Sequence, residues 1–119
     1  MQIFGWMAKG TTIPSMKASC TIHETSFLAT VCDASSDGMV CTVPSCRISS
    51  SLMDLIGSPL RIVIDGTIIE GVLSYYTIEE SLYRIGISVD RRYRGSWRRI
   101  CAERVAQQGF ATARDHAHA

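Results

Sequence analysis

Asp65-Gly66 stands between two runs of apolar and β-branched residues, Leu60 to Ile64 and Thr67 onward. Asp and Gly accept positive φ at the two central positions of a tight hairpin turn, and such a turn joins antiparallel strands. A chain with this signal at its middle has little choice but antiparallel β structure there, and the rest has to fit around it.

The flanking segments agree. Met16, Ala18, Cys20 and Ile22 alternate with Lys17, Ser19, Thr21 and His23, the period of a half-buried strand. Glu24-Thr25 reads as a turn, Ser26 to Cys32 as a second strand, Asp33 to Gly38 as a loop and Met39 to Val43 as a third strand ended by Pro44. Arg47 to Ser51 is a polar surface connection. Leu52 to Ile56 makes one helical turn closed by Gly57. The fourth and fifth strands are Leu60 to Ile64 and Thr67 to about Tyr76, with Gly71 marking a bend or bulge. Thr77 to Leu82 reads as a loop and Tyr83 to Val89 as the sixth strand. After Asp90 the period changes. Trp97, Ile100, Cys101 and Val105 recur at helical spacing. This predicts a helix from Trp97 to Gln108, with Ser96 as N-cap and Gly109 as its end.

Six short antiparallel strands and one helix predict a mainly β fold, a six-stranded antiparallel β-barrel with a C-terminal α-helix that covers a mouth or an open edge. The length of 119 residues suits one domain with one modest core. The expected division is an N-terminal segment 1–14, the barrel with its helix over 15–109, and a flexible tail over 110–119.

The formal net charge is +1, so no global field draws the chain to nucleic acid or to a membrane. No apolar run has the length of a membrane span, and Met1 to Lys9 lacks the pattern of a secretory leader. The five cysteines are odd in number and form no Cys-x-x-Cys pair. They fit a reduced, cytoplasmic protein with inert thiols. Cys41 and Cys46, with Cys32 or His23, lack the paired spacing of a zinc site, and His116 and His118 lie in the polar tail; no metal is expected. Cys20 and His23 fall on opposite strand faces, and Asp54, Asp65, Glu70, Glu79 and Glu80 are scattered, so no catalytic constellation forms. The chain reads as a non-enzyme without a cofactor.

The loop reads Asp33-Ala34-Ser35-Ser36-Asp37-Gly38. Its Asp-x-Ser-x-x-Gly spacing, followed by Gly57-Ser58-Pro59-Leu60, the Leu60 to Ser74 hairpin and Tyr83-Arg84-Ile85-Gly86-Ile87-Ser88-Val89, resembles the PilZ family of bacterial domains over about Ser15 to Trp97. The resemblance implies a six-stranded barrel and a place in cyclic di-GMP signalling. By the family pattern, Asp33 and Ser35 would hydrogen-bond a guanine edge, and Gly38 would let the loop turn tightly. The family's second motif, Arg-x-x-x-Arg before the first strand, has no match. Lys9-Gly10-Thr11-Thr12-Ile13 stands there, and a lysine can neither stack nor fork as a guanidinium does. Two lost charge-assisted contacts at ~1.5–3 kcal/mol each weaken binding by roughly two to four decades.

The reading that follows is a non-catalytic regulatory domain with a weakened or lost nucleotide site, acting through a protein partner. Phe4, Trp6, Arg94, Arg98 and Arg99 are candidates for that surface, as aromatics and arginines dominate interfaces. The alternative is a genuine cyclic di-GMP receptor that uses Asp33, Ser35 and Gly38 with Lys9, Arg91 and Arg92 as substitute phosphate contacts. A further alternative is a nucleic-acid-binding barrel, with Arg91 to Arg99 on phosphates and Tyr93 and Trp97 stacking on bases.

Overall fold

The computed structural model describes the backbone of residues 11–48 and 51–118, with side chains described from Met16 to Ala106 apart from residues 47, 49 and 50. Six strands, β1 (Thr11–Ile22), β2 (Thr25–Ser35), β3 (Gly38–Pro44), β4 (Pro59–Ile64), β5 (Thr67–Glu79) and β6 (Leu82–Val89), close an antiparallel barrel in the order β1-β2-β3-β6-β5-β4. A 3-10 turn at Ser45–Arg47 and the short helix α1 (Leu52–Leu55) cross from β3 to β4. The predicted fold class and the order of its elements hold.

Two-residue connections join four strand pairs. At Asp65-Gly66 both φ angles are positive, 51° and 80°, as the hairpin signal requires. The other turns are shifted or shortened relative to the sequence reading. His23-Glu24 replaces Glu24-Thr25, with His23 at φ 53°. Glu80-Ser81 replaces the Thr77 to Leu82 loop, and β5 runs on to Glu79 because each residue from Thr77 finds a partner on β6. β1 takes in Thr11 to Pro14, and Pro14 is tolerated because the β1–β2 register is irregular between Thr12 and Met16.

The alternating residues of β1 point inward as expected: Met16, Ala18, Cys20 and Ile22 are all buried. They meet Val31, Cys41, Val43, Ile62, Ile64, Ile69 and Ile85 in one apolar core. Among the described residues no polar or charged residue is buried.

α2 (Arg94–His118) starts earlier and continues further than the sequence spacing predicts. Ser96 does not cap it. Asp90 does the work one turn earlier, its Oδ1 accepting the Arg92 N–H at 2.9 Å where a 3-10 turn, Arg91–Tyr93, leads into the helix. Gly109 lies within the helix, and the backbone of 110–118, expected as a tail, is helical. Trp97, Ile100 and Cys101 are buried on the barrel as predicted, whereas Val105 is 36% exposed. Arg104 takes the next place on that face and donates to Asp65 Oδ2 at 2.7 Å, tying the helix to the Asp-Gly hairpin.

Candidate functional site

Two β-bulges set the direction of the side chains that matter. Along β2 the buried positions run Phe27, Ala29, Val31. Strict alternation would send Asp33 into the core. Instead Cys32 is an extra residue: Val31 pairs with Cys41 but Asp33 pairs with Val40, so Ala34 takes the inward place and Asp33 turns outward. β5 repeats the device. Ile69, Gly71 and Leu73 face inward, Ser74 is extra, and Tyr75 turns outward against Gly86. Gly71 itself is not the bulge. It is required because an added Cβ would lie 2.5 Å from the Ser88 carbonyl oxygen.

The bulges put four strands in one register. Asp33, Val40, Gly86 and Tyr75 form a cross-strand row; Ser35, Gly38, Ser88 and Val72 form the next outward row. These rows floor a surface cavity of about 230 Å³, whose lining includes Asp33, Ser35, Asp37, Gly38, Ser74, Tyr75, Ser88 and Arg94. The Tyr75 ring lies over Gly86 so closely that any Cβ there would collide with it. Gly38 has a similar function: its φ is not in the left-handed region, and a Cβ would lie 2.7 Å from the Ile87 carbonyl oxygen. Close approach to β6, not the tight turn expected from the sequence, demands glycine at 38.

The polar groups of the motif have partners within the protein. Arg84 Nη2 lies 3.3 Å from Asp33 Oδ2. The Ser35 hydroxyl donates to Asp37 Oδ1 at 3.1 Å and to the Gly38 carbonyl at 3.4 Å. Ser74 and Ser88 share a hydrogen bond of 2.7 Å across the bulge. Arg94 donates from Nε to the Val89 carbonyl at 3.1 Å. Arg98 donates from Nε to the Ser36 carbonyl at 3.2 Å.

Of the predicted ligand residues, Asp33, Ser35 and Gly38 therefore come together, and Arg94 joins them in place of Arg91 and Arg92. Arg92 is held elsewhere. It pairs with Asp90 at 3.2 Å and Glu70 at 3.8 Å and lies 5.6 Å above the Tyr93 ring. That hydrogen bond to Asp90 also holds the Asp90 carboxyl below its ordinary range. Arg91 is exposed and does not line the cavity. Lys9, Phe4 and Trp6 lie outside the described residues. Of the predicted contact surface, Arg94 and Arg98 are half-buried on backbone carbonyls and Arg99 is exposed. Trp97 is fully buried and Tyr93 packs on the core, which removes both stacking residues from the nucleic-acid reading.

Sequence reasoning missed Tyr75, Arg84, Ser74 and Ser88. With Ile69, Gly71 and Leu73 inward, alternation would send Tyr75 inward and Tyr76 outward; the extra residue at Ser74 reverses both, so that Tyr75 is exposed and Tyr76 packs against the core.

Four of the five cysteines are buried or half-buried. Burial pushes the Cys20 and Cys101 thiols up to about 12 and Cys41 well above its ordinary value. Burial also raises half-buried Cys32. Cys46 alone is exposed among the cysteines, and no group of three metal-ligating side chains exists among the described residues. The thiolate is the reactive form. At pH 8 a thiol reagent should therefore label Cys46 fast, Cys32 slowly, and Cys20, Cys41 and Cys101 only after denaturation, as counted by mass spectrometry of the labelled chain.

No family model and no curated protein matches the sequence. Among the described residues no helix is long and apolar enough to cross a membrane.

Proposed function

We propose that this chain is a PilZ-like, non-catalytic regulatory domain in bacterial cyclic di-GMP signalling, acting in the cytoplasm through a protein partner, with a reduced nucleotide site. The observation that carries this reading is the state of the motif. Asp33 and Ser35 face outward on one cavity, as a base-reading pair would, yet the Asp33 carboxylate faces Arg84 and the Ser35 hydroxyl faces Asp37. Arg94 is the single basic residue lining that cavity among the described residues. Its volume of about 230 Å³ is below the ~300–1,000 Å³ of sites that enclose a drug-sized ligand.

An exposed apolar surface supports the protein-contact role. Leu28, 57% exposed, and Leu82, 39% exposed, border a groove of about 690 Å³ with Pro44 and Cys46, and Ile78 is exposed on the same hairpin as Leu82. Apolar side chains grouped in this way mark contact sites more often than single ones do.

Arg94 favours the second reading, a receptor that binds cyclic di-GMP directly with one late arginine and the Tyr75 ring. Calorimetric titration separates the two. The reduced site is expected to bind with a Kd of about 100 µM or weaker, two decades or more below a micromolar receptor. A micromolar Kd that Arg94→Ala abolishes would establish the receptor instead.

A further inference from the structure

The turn between β2 and β3 has four backbone carbonyls, and one short stretch of chain holds all of them. Trp97 Nε1 donates to the Ser35 carbonyl at 2.9 Å and to the Gly38 carbonyl at 3.1 Å. Arg98 Nε donates to the Ser36 carbonyl at 3.2 Å. The Val89 N–H donates to the Asp37 carbonyl at 2.9 Å. The donors lie between Val89 and Arg98, the last residue of β6 and the first turns of α2.

We infer that the seating of α2 on the barrel and the shape of the Ser35–Gly38 turn are one coupled equilibrium, with Trp97 as the positioning residue that joins them. A turn held by side chains of a distant helix cannot keep its conformation when that helix lifts, because its carbonyls lose three hydrogen bonds, made by two donors, together. The helix in turn loses its buried anchor when the turn moves, since Trp97 is fully enclosed and its indole N–H is shared between the two carbonyls that flank the turn. Linkage makes the effect reciprocal. Anything that binds the turn in one of its two shapes shifts α2 by the same free energy, and anything that grips α2 remodels the cavity edge at Ser35 and Gly38. α2 thereby serves as the output element of the motif turn. The inference concerns the turn itself and holds whether or not a nucleotide occupies the cavity.

Hydrogen exchange measured by NMR on the full chain tests it. The probes are the Trp97 indole N–H, the Val89 amide and the α2 amides from Ile100 to Arg104. Arg104→Ala cuts the far tie of the helix, to Asp65, and touches nothing at the turn. It is expected to speed exchange at the Trp97 indole and at Val89 by the same factor as in α2, roughly threefold for an ion pair of this exposure. Ser35→Ala, which loosens the turn from the other side, is expected to speed the α2 amides. In the wild type the β1–β4 ladder from Ser19 to Ile22, which opens with the whole fold, should exchange more slowly than α2, the Trp97 indole and Val89, which open together locally, and Arg99→Ala, an exposed site on the same helix, should change nothing. Faster exchange in α2 alone, with the Trp97 indole and Val89 as in the wild type, overturns the coupling. Wild-type exchange at α2, the Trp97 indole and Val89 as slow as in the β1–β4 ladder also overturns it, since helix and turn would then open only with the whole fold.

Discussion

Trp97→Ala should lower the unfolding free energy by about 4 kcal/mol, the range for truncating a buried aromatic. Urea titration followed by circular dichroism reads this as a lower midpoint, and the melting temperature should fall by roughly 15–25 °C for a domain of this size. Two losses combine. The ring fills the gap between α2 and the barrel and is fully buried. Its N–H serves the Ser35 and Gly38 carbonyls, and a polar group left without a partner costs about 1–3 kcal/mol where water cannot reach it. Trp97→Phe separates these terms. It keeps most of the volume and should cost about 1–2 kcal/mol, the share of the shared hydrogen bond. No loss in Trp97→Phe would mean that the indole N–H contributes nothing, and equal losses in the two variants would mean that the buried volume of the ring contributes nothing.

Gly71→Ala is the second large effect, about 2–3 kcal/mol by overpacking. The new Cβ would sit 2.5 Å from the Ser88 carbonyl oxygen and 3.1 Å from Ile87 Cγ2. The first of these is backbone of the neighbouring strand, so relief requires β5 and β6 to move apart. Gly95→Ala is the contrast. Nothing lies within 4 Å of that position, and alanine in an α-helix gains about 0.5–1 kcal/mol over glycine. The same substitution should therefore change sign between β5 and α2 in parallel urea titrations. A loss at Gly95 would show that the start of α2 is not helical in solution.

The barrel was legible in the sequence because its determinants are local. Asp65-Gly66 sets one hairpin, and the alternation from Met16 to Ile22 sets the face of the first strand. Trp97, Ile100 and Cys101 set the face of the helix. Strand ends were less legible. Ser36-Asp37 and Glu80-Ser81 are polar enough to suggest longer loops, and only the pairing partners on β3 and β6 extend the ladders. The site was half visible. The Asp33, Ser35 and Gly38 spacing is a local pattern, but its outward direction depends on extra residues at Cys32 and Ser74, and a bulge shows itself only when two strands are aligned. Arg84 reaches Asp33 across 51 positions, and Tyr75 meets Gly86 only through the register of β5 with β6. The arginine cluster was visible as composition, yet which member turns to the cavity is decided by the 3-10 turn that aims Arg92 at Asp90 and Arg94 back toward β6.

Titration of the isotope-labelled full chain with cyclic di-GMP, followed residue by residue in NMR, bears most directly on the proposed reduction of the nucleotide site. Small shifts confined to Asp33, Ser35, Tyr75, Gly86 and Arg94, without saturation at about 100 µM ligand, are expected of a cavity lined by one guanidinium among the described residues, with Asp33 and Ser35 engaged within the protein. Saturation at micromolar ligand, with large shifts that extend to Arg91 and Arg92, would contradict the account and make the chain a full-strength receptor.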